Sequence, residues 1–303
     1  MMKTSLIAIV GATVALTGAA QAGEMTYGSA ELSYYNNDDT DVVRLQGDID
    51  YIVNKFAFTG TAKAIDYDGD DAYTLNGTAG YEFTPGFTGY VKLAAYDFNS
   101  GDTEYTYGLG VDYIGNAFGV ALEYTTVDGE DFETYNLNGY YDFGASTVFG
   151  SYVSLDSDFS LYSLGYDFDV DAFGLTAATT FSEDGIDHGV SSFAGTYQFG
   201  NFGVKANVLT GNHNLFDTGY YGIAGTYAVN DRITVEAGYD TTYGDVSDMD
   251  LFSLKLSFEM GGDRARVTDR VSDLFDKARS PVLNSVGLDL YDPIYGPSLA
   301  LGF

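Results

Sequence analysis

The side chains able to do chemistry fall into four groups. Two histidines, His188 and His213, are the first. A histidine base works only beside a nucleophile that it can activate. Asp187-His188 has no identifiable Ser partner, and the chain has no Cys. Both histidines read as solvated loop residues, so enzymatic activity is not expected. The second group is DYDGDD at 66–71, which sets Asp66, Asp68 and Asp70 at alternate positions. That is part of a calcium loop without its distal Glu. The expectation is at most a loosely held Ca or Mg ion at an outer loop, and no other cofactor. The third is a set of charges lodged inside otherwise apolar runs: Arg44, Asp48, Lys63, Glu82, Lys92, Asp112, Glu123, Lys205, Glu236 and Lys255. Nothing in their spacing pairs them as acid and base. Their chemistry is that of a field acting on ions and dipoles. The fourth group is basic and C-terminal: Arg264, Arg266, Arg270, Lys277 and Arg279.

The elements that carry the third group alternate with a period of two. In 104–114, Tyr105, Tyr107, Leu109, Val111 and Tyr113 share one face, while Thr106, Gly108, Gly110 and Asp112 share the other. In 118–127, Phe118, Val120, Leu122 and Tyr124 oppose Gly119, Ala121, Glu123 and Thr125. Such alternation is that of a strand. Sixteen such runs fill residues 25–259, the first near 25–35 and the last near 249–259. Their connections are of two kinds. Short ones such as Asn54-Lys55, TPGF at 84–87 and Asn230-Asp231 alternate with longer acidic ones such as NNDDTD at 36–41 and SEDGID at 182–187. The repeat is therefore a hairpin of about thirty residues.

Composition narrows the class. The chain has 303 residues, 27 Tyr, 21 Phe and a net charge of −31. Such an acidic chain is a poor partner for nucleic acid. Its aromatic content argues against disorder. Lys3, an apolar stretch from Leu6 to Thr17 and Ala20-Gln21-Ala22 read as a signal peptide over 1–22, with the mature chain starting at Gly23. Aromatics crowd the strand ends beside short turns, among them Tyr81, Phe83, Tyr113 and Phe118. Interfacial girdles have this character. Sixteen uniform strands rarely stay open, and closure removes the edges. The fold expected is all-β: a transmembrane, antiparallel, up-and-down β-barrel over 23–260. Sixteen strands leave an aqueous channel, whereas eight are filled by their own side chains.

With those residues in view, the chain resembles a Gram-negative outer-membrane porin of the general-diffusion, alphaproteobacterial kind. The resemblance rests on the AQA site at 20–22, the sixteen alternating runs, the girdle, the acidic loops and the terminal Phe303. It implies an outer-membrane location after export, a homotrimer, contact with outer-membrane lipid and lipopolysaccharide, and passive diffusion of ions and small hydrophilic solutes. The acidic lumen points to mild cation selectivity. Two features depart from the family. The connection near 99–104 is too short to fold inward as a constriction, and the chain runs on past the last strand.

That tail, 261–303, carries five basic and six acidic residues, against seven and 38 in 23–260. Val267, Val271, Leu274, Phe275 and Ala278 fall on one helical face, predicting an amphipathic helix over 264–280. Three readings stay open. The helix enters the acidic lumen as a constriction or plug, or it docks in the periplasm below the barrel. Alternatively, the alternating residues near 286–290 and 299–303 add a strand pair and make eighteen strands. The plugged form carries the alternative function: a structural or surface-interaction outer-membrane barrel.

Overall fold

In the computed structural model the alternating runs form sixteen antiparallel strands, each paired with its neighbours in the chain. The structure describes residues 23–37, 40–67, 70–98, 103–155, 159–244, 250–262 and 264–278. The strands are β1 Glu24–Asn37, β2 Thr40–Val53, β3 Phe56–Tyr67, β4 Asp70–Thr84, β5 Phe87–Phe98, β6 Glu104–Ile114, β7 Phe118–Val127 and β8 Glu133–Asp142. They continue as β9 Ser146–Leu155, β10 Phe159–Val170, β11 Phe173–Ser182, β12 Gly189–Phe199, β13 Phe202–Gly211, β14 Gly219–Asn230, β15 Ile233–Tyr243 and β16 Asp250–Gly261. Among the described residues one α-helix, α1, spans Val267–Ala278. β1 pairs with β16 from Tyr27↔Gly261 to Asn36↔Phe252, which closes the sheet. The barrel therefore closes at sixteen strands, and neither β1 nor β16 offers an edge for two more. The segments of the eighteen-strand alternative, like residues 1–22 with their expected signal peptide and like Arg279, lie outside the described residues.

Turn chemistry sets the hairpins. The two-residue turns after β2 and β10 put Asn54 and Asp171 at φ 55° and 51°, a region their side chains tolerate. The turn after β4 uses Pro85-Gly86, with Gly86 at φ 81°, the order of a type II turn. A Cβ on Gly86 would lie 2.7 Å from the carbonyl oxygen of Ile114. The even-numbered strands from β2 to β14 thus end in short turns. At the other end the connections after β5, β7, β11, β13 and β15 are longer. β1 and β3, however, run on to Asn37 and Tyr67 and leave only two residues before β2 and β4, so the longer loops expected at 36–41 and 66–71 are taken up largely by strand.

The outer wall is apolar. Leu75, Val91, Leu93, Leu109, Leu122, Leu164 and Ile223 are all exposed. Soluble monomers rarely expose apolar patches above a few hundred Å². A band running round the whole barrel faces hydrocarbon. Aromatic rings edge it at the short-turn end, where Phe56–Tyr81, Phe87–Tyr113 and Phe202–Tyr227 sit at 5.1, 4.5 and 4.9 Å. A second ring edges the loop end, including Tyr124–Tyr135 and Tyr152–Tyr162, both at 5.2 Å. There, outward tyrosines donate to carboxylates at the strand ends: Tyr34 to Asp41, Tyr124 to Glu133 and Tyr239 to Asp250. Each hydroxyl marks where the band meets water.

Candidate functional site

The inner wall is largely polar, but it carries an apolar cluster of Tyr35, Val42, Leu209, Tyr220 and Leu251 toward the loop end. It also carries an apolar track toward the short turns, and α1 lies on that track. Its five apolar residues, Val267, Val271, Leu274, Phe275 and Ala278, are its buried ones. Val267, Val271, Leu274 and Phe275 cluster with Ala121 of β7, Tyr140 of β8 and Phe149 of β9. Those wall residues share the inward parity of Glu123, Asn138 and Ser151. The helix is therefore inside the barrel and not below it. It starts later than the expected 264–280, because Arg264, Ala265 and Arg266 are drawn out to the wall.

The track is built from aromatic rings laid over glycines on the neighbouring strand. Tyr90 lies opposite Gly110, Tyr140 opposite Gly119, and Phe149 opposite Gly165. A Cβ on any of the three glycines would collide with the ring. Each ring then receives one residue from the tail. The Arg266 guanidinium sits 3.6 Å from the Tyr90 ring centre, and Arg270 sits 3.9 Å from that of Tyr140. Phe275 meets Phe149 edge-on at 4.6 Å. Arg264 lies 4.1 Å from the ring of Tyr27 on β1. Gly119→Val would press on both Tyr140 and Val267, whose Cγ2 lies 2.9 Å from the new Cβ position. We expect about 1–3 kcal/mol of weakened docking, measured as faster amide exchange of α1 with the barrel strands unchanged.

Charge fixes the helix further. Arg266 is 5% exposed. Its Nη2 donates to Glu123 at 3.1 Å and its Nε to Asp112 at 3.4 Å. Glu123 also accepts from Lys92 Nζ at 2.9 Å and from the Tyr90 hydroxyl at 3.1 Å. Arg264 holds Asp273 of the helix through Nε at 2.7 Å and Nη2 at 3.1 Å, and faces Asp50 at 3.6 Å. Asp50 accepts the Ala265 N–H at 2.8 Å. Arg270 Nη2 reaches both oxygens of Asp142 at 2.9 Å. Lys277 bridges Asp167 and Asp169 at 2.9 and 3.0 Å. Burial pulls the Lys277 ammonium down, but those two carboxylates outweigh it and hold it above its usual range. Asp269 in the first turn and Lys277 in the last also suit the helix dipole. Asp50, Asp112, Asp142, Asp167 and Asp169 all sit near the short-turn ends of their strands, so α1 occupies that half of the lumen.

The charges singled out from the sequence divide around this helix. Asp112 and Glu123 lie beneath it, 2% and 1% exposed, and meet Arg266 instead of open water. Arg44, Asp48, Lys205, Glu236 and Lys255 line a cavity of about 320 Å³, with Arg264, Lys277, Asp273 and Asp276 on its helix side. Lys63 and Lys92 line a second, of about 130 Å³, facing Asp269, Asp273 and Asp276. Glu82 stays at its turn and accepts the Gly86 N–H at 2.9 Å. His188 and His213 are exposed in the loops. Asp66 is within β3, but Asp68 and the side chain of Asp70 lie outside the described residues. No group of three or more His, Asp and Glu among the described residues is placed to hold a metal ion.

Sequence reasoning missed Asp50, Asp142, Asp167 and Asp169, and the platform of Tyr90, Tyr140 and Phe149. The carboxylates share the inward parity of Asp48 and Asp112, which was a usable signal. The platform had a fainter one: a large ring on the polar parity, across from a glycine.

No protein-family model matches the chain, and no curated protein matches its sequence. Solved structures do match. A mutant of the Rhodopseudomonas blastica porin has 14% sequence identity and a TM-score of 0.54, the match covering 78% of this chain and all of that one. A triple mutant of the same porin gives 13% and 0.53, again over 78% and 100%. OpdQ of Pseudomonas aeruginosa gives 9% and 0.52, over 78% and 98%. At such identities the likeness is one of fold, and the fold is the barrel of the Rhodopseudomonas blastica porin.

Proposed function

We propose that this chain is an outer-membrane porin, passing ions and small hydrophilic solutes by diffusion through the lumen that α1 leaves open. One observation carries the reading: the helix covers one side of the inner wall, and charged, water-sized space remains along the other. The open side has opposed charges. Asp269, Asp273 and Asp276 of the helix face a wall bearing Arg44, Lys63, Lys205 and Lys255. This arrangement sets a field across the path, with α1 in the place of an infolded loop. The acidic excess of the loops supports a mild preference for cations. The same reading takes residues 1–22 as a cleaved export signal. It takes the assembly as a homotrimer by family resemblance, and the outer leaflet as lipopolysaccharide, bridged through loop carboxylates by Ca or Mg. A passive channel of this kind needs no catalytic residue.

A second reading is favoured by the buried Arg266 and its two carboxylates: a barrel closed by its own tail, serving structure or surface contact. Planar-bilayer recording on the refolded chain 23–303 in a KCl gradient separates the two. Ohmic steps with a reversal potential on the cation side are the expected result. A folded, heat-modifiable barrel that carries no current would establish the plug. An anion-side potential would overturn the selectivity.

A further inference from the structure

The larger of the two cavities has a cation on its wall, Lys205, that makes no direct ion pair among the described residues. Glu236 and Lys255 face each other directly across β15 and β16, and Lys255 also pairs with Glu31 at 3.4 Å. Asn207, the next inward residue on the same strand as Lys205, is bonded to Asp240 at 3.1 Å. Lys205 makes neither a hydrogen bond nor an ion pair among the described residues; its electrostatic neighbours are Glu236, Lys255, Asp240 and, on the helix, Asp276. Its ammonium opens on the 320 Å³ space whose helix side carries Asp273 and Asp276 together with Arg264 and Lys277. That volume is at the lower end of small-ligand sites.

We propose that this space is a subsite for small zwitterionic solutes of the amino-acid kind, with the carboxylate on Lys205 and the ammonium toward Asp276. A lone anion satisfies Lys205 but meets the helix carboxylates. A lone cation meets those carboxylates but also Lys205 and Lys255. A solute carrying both charges satisfies both sides, and each contact is a charge-assisted hydrogen bond. The inference rests on reading the lumen as a diffusion path, and it adds the solute class.

Liposome swelling with the refolded chain 23–303 tests it, using L-serine against glycerol as a neutral solute of similar size. Serine should enter faster than glycerol. The serine-to-glycerol ratio should fall about threefold to fivefold in Lys205→Gln, fall likewise in Asp276→Asn, and be retained in Lys205→Arg. Heat-modifiable mobility shows that each variant is folded. A ratio unmoved by Lys205→Gln overturns the subsite while leaving the pore. A ratio that rises for acetate but not for serine makes Lys205 a simple anion site and also overturns it. No glycerol entry by the wild-type chain would instead remove the diffusion path, and the subsite with it.

Discussion

Full-length chains carrying Val271→Asp and Phe275→Asp are expected to conduct roughly two- to threefold more current than the wild type. Both residues are 1% exposed and sit on the aromatic platform. Removing a buried Phe alone costs about 3–5 kcal/mol. Placing carboxylates there adds a desolvation penalty against Ala121, Tyr140 and Phe149. The apolar contact that holds α1 to the wall is then lost. A helix with its side chains is about 10–12 Å across, so its departure restores much of the lumen that sixteen strands enclose. Single-channel conductance is the measurement. If the variant is folded and conducts as the wild type does, α1 does not obstruct the path.

Arg266→Met should free the same helix by a different route. The substitution keeps much of the apolar stem but removes the only cation that Asp112 meets within bonding distance among the described residues. Breaking one partner of a buried pair costs about 3–5 kcal/mol, because the other charge is left uncompensated. Glu123 is less affected, since Lys92 and Tyr90 still donate to it. The second substitution that should rescue docking is therefore Asp112→Asn and not Glu123→Gln. Amide exchange over Val267–Ala278 reads the result. Fast exchange in Arg266→Met and near-normal protection in Arg266→Met/Asp112→Asn is the expected pattern. Equal protection in all three chains would show that the guanidinium adds nothing to docking.

The barrel was legible because each strand states its own two faces. Leu109 and Asp112 cannot share a face of β6, and sixteen repetitions of that rule, with turns such as Pro85-Gly86, leave little else to build. The helix was legible for the same local reason, from Val267, Val271, Leu274, Phe275 and Ala278. Its placement was not. Nothing near Arg266 in sequence names Glu123 or Asp112, which lie 143 and 154 residues away. The platform was hidden because Tyr90 and Tyr140 occupy positions where a polar residue is the norm. Only the closed barrel brings three rings and three glycines under one helix. Asp112 and Glu123 carried the right parity but the wrong surroundings, since parity tells inside from outside and does not tell covered from open.

The link from barrel to helix is short: β16 ends at Gly261 and α1 begins at Val267. A helix that lets go of the wall cannot diffuse away. It remains a tethered ligand at an effective concentration on the order of millimolar, with the platform always within reach. Release and recapture are then events within a single molecule, independent of how dilute the protein is. Any weakening of α1 would show first as flicker between two current levels, with the time spent in each giving the docking equilibrium directly.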